Sequence, residues 1–234
     1  MTSYAIDLHN HMPMPGGDYK GPMETTGADV VRAALAAGID ALGVTDHFAL
    51  DFFHGVAEAA TGTPLLVLPG AEMRLSWRGE EAHLVATFPE QGADESFAML
   101  LDALGFSDAH RAGPPQQVVI EYDPVEAVAV AAGLGAMVHV GHADRWFGSY
   151  RLLGGELLPR LVTDSPVAAV EFLELTSAAE LGDLADRVAL IQSSDSHHTN
   201  EIGRRRTILD APELSFEGIR AALRSQSRAR ELAS

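Results

Sequence analysis

This 234-residue chain contains no cysteine, and Lys20 is its only lysine. Without cysteine there is no disulfide bond, no thiolate metal ligand and no cysteine nucleophile, so any bound metal must be held by imidazole and oxygen atoms. Long apolar runs are absent too. The most apolar stretch, residues 128–140, contains two glycines and His139 and falls short of the ~18 residues of a membrane span.

Basic residues are also scarce, since 16 Lys and Arg stand against 33 Asp and Glu and give a formal net charge of −17. This charge repels phosphate backbones and anionic lipids, so we expect no stable nucleic-acid partner and no membrane association. The N-terminus lacks a basic segment followed by an apolar one, so we expect no signal peptide and a cytoplasmic protein. Nothing in the sequence indicates an oligomeric state.

The chain alternates predicted strands with predicted helices, and 47% of its residues are apolar, which is typical of a globular α/β protein. Helices are predicted at residues 28–37, 94–104, 124–133 and 178–187, in part of 150–162, and from residue 216 onward. Thr26, Asp123 and Ser215 are the predicted N-caps. Segments 12–23, 48–60 and 146–155 follow no interpretable pattern. No linker divides the chain, so we expect one domain over residues 1–234.

Short apolar strands are predicted at residues 4–8, 41–45, 65–68, 81–88, 136–138, 168–175, 189–193 and 207–209. Polar residues gather at the ends of many of these strands. In a parallel barrel all carboxyl ends meet at one mouth, whereas an open sheet brings only one or two of them to its switch point. The pattern therefore favours a barrel.

The polar residues at these strands are ones that bind metals. His9 and His11 are two apart, so on a strand both imidazoles point to the same side. The full set is His9, His11, His47, Glu72, His83, His139, Asp195 and His197. Imidazole and carboxylate ligands suit Zn, Mn or Fe, and eight ligands exceed what one ion takes. We therefore expect two or three divalent metal ions, with Glu72 and Asp195 as bridging carboxylates.

These motifs, in this order, resemble those of the PHP (polymerase and histidinol phosphatase) family. The resemblance spans residues 6–206 and rests on His9-Asn10-His11, Thr45-Asp46-His47, Gly70-Ala71-Glu72, His83, His139 and Ser194-Asp195-Ser196-His197. It implies a distorted (β/α)7 TIM-like barrel with a two- or three-metal centre at the carboxyl-terminal face of the strands, and it implies phosphoester hydrolysis.

The resemblance also implies an assignment of ligands. One metal would be held by His9, His11, Glu72 and Asp195, and a second by His83 and His139 with Glu72 as the bridge. His47 and His197 would hold a third. The family carries an Asp or His soon after the His-x-His pair, and Asp18 is the nearest candidate here. His142 lies close to His139 and is the alternative to it.

The function implied is hydrolysis of a small-molecule phosphoester, by a phosphatase or a phosphodiesterase. A hydroxide shared by two metals would attack phosphorus, because bound cations lower the pKa of water. Glu72, Asp195 and His197 are the catalytic candidates, with Asp195 or a histidine moving the proton. Arg145 and Arg204 are the candidates for binding phosphoryl oxygens. Two alternatives stay open: a metal-dependent amide or ester hydrolase, and a non-catalytic metal-binding domain.

Overall fold

The computed structural model describes residues 1–147, 150–225 and 230–231. The strands in chain order are β1 (Thr2–Asp7), β2 (Ala41–Val44), β3 (Leu66–Trp77), β4 (Glu80–Thr87), β5 (Ile120–Glu121), β6 (Met137–Val140), β7 (Trp146–Phe147), β8 (Tyr150–Arg151), β9 (Ala169–Glu171), β10 (Ala189–Ile191), β11 (Thr207–Ala211) and β12 (Arg230–Glu231). The α-helices are α1 (Gly27–Ala36), α2 (Asp51–Ala60), α3 (Ala93–Ala103), α4 (Asp108–Arg111), α5 (Pro124–Gly133), α6 (Leu157–Asp164) and α7 (Phe216–Arg224). Segments of 3₁₀-helix cover Pro115–Gln117, Leu175–Asp186 and Thr199–Glu201.

Strands β1, β2, β3, β4, β6, β9 and β10 follow one another around a barrel. Neighbours are parallel, except that β4 runs antiparallel to both β3 and β6. The barrel closes just beyond β1 and β10, where Asn10 pairs in parallel with Ser196 and the amide of His11 donates to the Ser196 carbonyl at 2.8 Å. The predicted distorted TIM-like barrel is confirmed.

The distortion has two local causes. Strands β3 and β4 form a hairpin with no helix between them, and its register pairs Gly70 with Thr87 and Trp77 with Glu80. At the amino-terminal end of the barrel, β11 lies antiparallel to β1. Thr207 of β11 exchanges hydrogen bonds with the backbone of Gln192, just after β10. Strand β11 thus fills the gap between β1 and β10 at the end opposite the closure.

Local sequence chemistry explains where the helices begin. Thr26 caps α1 in a capping box with Asp29, Asp123 accepts from the Val125 amide at the start of α5, and Ser215 accepts from the Gly218 amide at the start of α7. These three predicted caps are confirmed.

Two segments differ from expectation. Residues 51–60, which showed no interpretable pattern, form α2, and this helix buries Phe53, Val56 and Ala60 without any side-chain cap. The helix predicted at 178–187 is a 3₁₀ segment instead, and Gly182 interrupts it with φ 54° and ψ −130°. Part of the unpatterned segment 146–155, residues 148–149, lies outside the described residues.

Strands β1 and β2 lie close together just beyond the end of β1. A Cβ atom placed on Gly43 of β2 would lie 2.5 Å from the carbonyl oxygen of Leu8, so only glycine allows this spacing. Apolar side chains fill the space between the barrel and the helices, including Leu42 of β2 against Val30 of α1 and Val56 of α2. Among the described residues no helix is both long and apolar enough to span a bilayer.

Candidate metal centre

Six strands or their extensions deliver the predicted residues to the carboxyl-terminal mouth of the barrel. His9 and His11 follow β1, His47 follows β2, Glu72 lies in β3, His83 in β4, His139 in β6, and Asp195 and His197 follow β10. Because β4 runs antiparallel, His83 reaches this face from the first half of its strand. The side chains line or underlie an open pocket with a volume of about 180 Å³.

Glu72 is the centre of the arrangement and is almost fully buried. Its Oε2 lies 3.2 Å from His11 Nε2, 3.3 Å from His47 Nδ1 and 3.4 Å from His9 Nε2. Its other oxygen, Oε1, contacts His83 Nδ1 and lies 3.2 Å from His142 Nε2. One carboxylate thus faces imidazoles on two sides, which is the geometry of a bridging ligand.

Asp195 completes the group around His9 and His11. Its Oδ1 lies 3.4 Å from His11 Nε2 and 3.7 Å from His9 Nε2, whereas its Oδ2 accepts a hydrogen bond from Arg145. The backbone of Asp195 is in the left-handed region, with φ 47°. Such strain in a non-glycine residue persists only where the surroundings hold it, and it is found preferentially at functional sites.

Asp18 lies in the loop after β1 and the structure brings it into the site. Its Oδ2 is 2.8 Å from His197 Nε2 and 3.4 Å from His47 Nε2. The loop is held in place by the amide of Lys20, which donates to the carbonyl of His197 at 2.7 Å. Asp18, His47 and His197 therefore form a third group at the outer edge of the pocket.

The two candidate histidines of β6 have different surroundings. His142, in the turn after β6, lies against Glu72 and lines the pocket, whereas His139 lies beneath the pocket with its Nε2 at 3.3 Å from Glu171. His142 reaches Glu72 because its backbone takes the unusual φ of 23°. The geometry thus favours the alternative, His142, over His139 as the partner of His83.

The two arginines predicted to bind phosphoryl oxygens differ in their positions. Arg145 lines the pocket and pairs with Asp195, but Arg204 is exposed and its nearest ion-pair partner is Glu201, at 3.6 Å. Placing Arg204 at the phosphoryl group is therefore not supported, because the turn at residues 201–204 directs it outward. Arg74 of β3, which sequence reasoning missed, also lines the pocket. Its guanidinium forms an ion pair with Glu81, with a nitrogen 2.7 Å from Oε1.

The donor set fits divalent metal ions. His9 Nε2, His47 Nδ1 and both ring nitrogens of His11 are buried and make no hydrogen bond in the described structure, which is rare for buried polar atoms. Ligand atoms of His9, His11 and Asp195 lie within 4.8 Å of one another, as do those of His9, Glu72 and His142 and those of His11, Asp18 and His47. Nitrogen and oxygen donors without sulfur suit first-row ions such as Zn, Mn and Fe.

The electrostatics of the groups agree with a cation site. Burial alone would lower the pKa of the His11 ring, but Asp195 and Glu72 raise it to about 10. Burial would likewise raise the pKa of Glu72, yet His83, His47 and His9 hold it well below its ordinary value. The carboxylates are therefore ionised and attract positive charge, which protons supply when no metal does.

Two buried residues outside the predicted ligand set lie behind the ligands, on the side away from the pocket. Asn10 points away from the pocket, and its side chain joins three strands through Asp7, Gly43 and Ser196. Glu171 is completely buried at the end of β9 and contacts His9 and His139. It lies between two apolar residues, Val170 and Phe172. The only feature of the sequence that could have pointed to Glu171 is a charged residue inside an apolar strand.

Comparison with known proteins found relatives by structure alone, since no protein-family profile and no curated protein matches the chain. The lesion-specific endonuclease EndoQ of Pyrococcus furiosus superposes with a TM-score of 0.71 at 16% identity, covering 98% of this chain and 58% of that one. The chain thus spans somewhat more than half of that endonuclease.

The expectation that nucleic acid is excluded as a partner is wrong. An Endonuclease Q complex with a 27-mer duplex, its abasic lesion at the active site, superposes with a TM-score of 0.68 at 15% identity, covering 96% of this chain and 57% of that one. The net charge was misleading because it is a sum over the whole chain, whereas the mouth of the barrel combines a few carboxylates with imidazoles and the guanidinium groups of Arg74 and Arg145. A nucleic-acid partner therefore stays in consideration.

Two further structures carry metal-dependent phosphoesterase assignments. One, from Bifidobacterium adolescentis, has a TM-score of 0.64 at 17% identity and covers 93% of this chain and 95% of that one. The other, a two-domain protein with a predicted PHP-like metal-dependent phosphoesterase from Bacteroides vulgatus, has a TM-score of 0.58 at 19% identity and covers 99% and 65%. The chain therefore has the fold of the PHP-like metal-dependent phosphoesterases, and the resemblance predicted from its motifs is confirmed at the level of the fold.

Proposed function

We propose that this protein is a metal-dependent hydrolase that cleaves phosphoesters. One observation carries the proposal: Glu72 faces five imidazoles, those of His9, His11, His47, His83 and His142, at the mouth of a barrel. Core histidines in a structural role find hydrogen-bond partners, whereas several ring nitrogens here are left without one. The similarity to metal-dependent phosphoesterases supports the same chemistry.

Three groups of residues would hold the ions. The first consists of His9, His11, Glu72 and Asp195, the second of Glu72, His83 and His142, and the third of Asp18, His47 and His197. Glu72 belongs to two groups because its oxygens face opposite sides. Zn, Mn and Fe all accept such ligands, and availability selects among them.

Divalent ions bound here would supply a water of lowered pKa as the nucleophile and would offset the charge of the phosphoryl oxygens. The protein's own groups do the rest. Arg145, at the pocket edge, directs its guanidinium at Asp195 and is placed to contact a phosphoryl oxygen. Asp195 and His197 are the proposed proton carriers, since they stand together at the pocket and His197 Nδ1 lies 3.9 Å from Asp195 Oδ1.

The pocket constrains what can be bound. A volume of about 180 Å³ takes a phosphoryl group and part of its substituent, and the rest of the substrate would extend over the rim. That arrangement suits a phosphomonoester, a diester and a nucleic-acid strand alike.

The test is product release from a panel run with Mn²⁺ and again with a chelator. The panel contains sugar phosphates, nucleotides, an aryl phosphodiester, a duplex with an abasic site, and an amide as the substrate of the alternative hydrolase. Turnover of any phosphoester that the chelator abolishes and that Glu72→Gln lacks would support the proposal. Cleavage of the amide alone, or no turnover by a protein shown to contain metal, would overturn it in favour of the two alternatives.

A further inference from the structure

Glu171 holds a position that the proposed ligand groups do not use. It is fully buried at the end of β9, lies beneath the pocket without lining it, and contacts three histidines. Its Oε2 lies 3.1 Å from His9 Nδ1 and 3.3 Å from His139 Nε2, while its Oε1 accepts a hydrogen bond from the His142 amide at 3.3 Å. The carboxylate thus joins residues from β1, β6 and the turn after β6.

The contact with His9 determines which ring nitrogen can bind a metal. An imidazole that donates Nδ1–H to a carboxylate presents the lone pair of Nε2 on its opposite edge. In His9 that edge faces the site, with Nε2 3.4 Å from Glu72 and 3.7 Å from Asp195. Ligand histidines are commonly oriented by such a carboxylate, which also makes the ligand nitrogen more basic.

The contact with His142 controls backbone geometry. His142 has φ 23°, a conformation that costs free energy for a residue with a side chain. Glu171 secures it twice, because its side chain binds the amide of His142 and its carbonyl accepts from the amide of Ala143 at 2.8 Å. This turn carries the His142 ring to Glu72. One residue therefore positions ligands of two different groups.

A metal ion bound directly by His9, His139 and Glu171 is the competing interpretation, since their ligand atoms lie within 4.8 Å of one another. It would require His9 to bind one ion through each nitrogen, which an imidazole does only when fully deprotonated. His139 and Glu171 also do not line the pocket. Donation of the His9 Nδ1 proton to Glu171 explains the His9 contact without that requirement.

We propose that Glu171 is a positioning residue of the metal centre, which fixes the Nδ1–H tautomer of His9 and holds the strained turn that carries His142. The inference rests on the metal centre proposed above. His139, which shares Oε2 with His9, would hold the carboxylate in place from the other side.

Glu171→Gln tests this, because the amide has nearly the same volume but only one acceptor oxygen for two donors, His9 Nδ1 and the His142 amide. We expect Zn²⁺ affinity, measured by competition with a chromophoric chelator, to fall ~10–100-fold. Nitrogen NMR of imidazoles in the Zn²⁺-loaded protein should show a changed Nδ1 signal for His9. Glu174→Gln, on the exposed carboxylate three residues along, is the matched control and should leave both readouts unchanged. Circular dichroism would verify folding, and Glu171→Asp replaces the variant if it does not fold.

The outcomes separate this inference from the proposed centre. If Glu72→Gln retains full Zn²⁺ affinity, the centre itself is wrong. If Glu72→Gln loses Zn²⁺ while Glu171→Gln binds it as the wild type does, with unchanged His9 signals, the positioning role is overturned. Loss of one ion in Glu171→Gln, with the remaining ions bound at wild-type affinity, would also overturn it and make Glu171 a ligand.

Discussion

The spacing between β1 and β2 sets the position of His9 and His11, and the substitution Gly43→Ala tests how closely the site depends on it. A Cβ atom at residue 43 would lie 2.5 Å from the Leu8 carbonyl oxygen, 2.8 Å from its carbonyl carbon and 3.0 Å from its Cα. Ordinary contact begins at 3.4 Å, so the two strands would have to separate by about 0.9 Å. All three atoms belong to backbone, which cannot rotate away as a side chain would.

The displacement would reach the site directly because His9 is the next residue after Leu8. Inserting a methyl group into a packed region of this kind costs about 1–3 kcal/mol of unfolding free energy. A shift of ~1 Å in a catalytic group can cost on the order of 10²-fold in rate. We therefore expect Gly43→Ala to lower both the stability and the metal-dependent turnover, the second by at least ~10-fold.

Urea unfolding of the metal-free protein measures the first effect, and turnover of the best phosphoester with saturating Mn²⁺ measures the second. Gly55→Ala is the control. Gly55 lies in α2, where an added Cβ meets nothing within 4 Å, so alanine should be neutral or stabilising by up to ~1 kcal/mol. Wild-type stability and turnover in Gly43→Ala would refute the reasoning, since they would show that the strands separate without moving His9.

Two further predictions concern charged residues. Arg145→Met should raise KM or lower kcat at least ~10-fold because a charge-assisted contact to phosphate is lost, whereas Arg204→Met should leave steady-state kinetics unchanged because Arg204 is exposed and away from the pocket. Hydrogen bonds from Thr26, aided by Arg32, hold the pKa of Asp29 at about 2, below the ordinary 3.8. Its stabilising contribution is then present above pH 3.8 and lost as the pH falls toward 2. Asp29→Asn should be less stable than the wild type at pH 5 in urea titrations, and a gap that fails to narrow by pH 3 would contradict this.

Much of the fold could be predicted because short apolar strands and capped helices alternate so regularly. Thr26, Asp123 and Ser215 begin helices by local hydrogen bonds that the sequence reveals directly. Helix α2 was missed because nothing caps it and Gly55 interrupts its pattern, so tertiary burial of Phe53 stabilises it instead. Local sequence could not reveal that contribution.

The site was predictable where ligands follow strand ends and less so where the backbone is unusual. The choice between His139 and His142 depends on a positive φ at residue 142, which no sequence pattern encodes. Arg74 and Glu171 were missed for a related reason. Each lies within a strand, where alternation alone does not show that a charged side chain faces the site or the ligands.

The closure of the barrel between Asn10 and Ser196 has a consequence for the order of folding. This contact joins residues 186 positions apart, so it carries one of the largest chain-entropy costs of any contact in the barrel. His9 and His11 lie on the β1 side of this contact, and Asp195 and His197 lie on the β10 side. During synthesis the chain must therefore extend past residue 197 before these four groups can meet. Capture of an ion by Asp195 or His197 together with ligands from β1 or β2 thus belongs to the last stage of folding, and such an ion would stabilise the closed barrel.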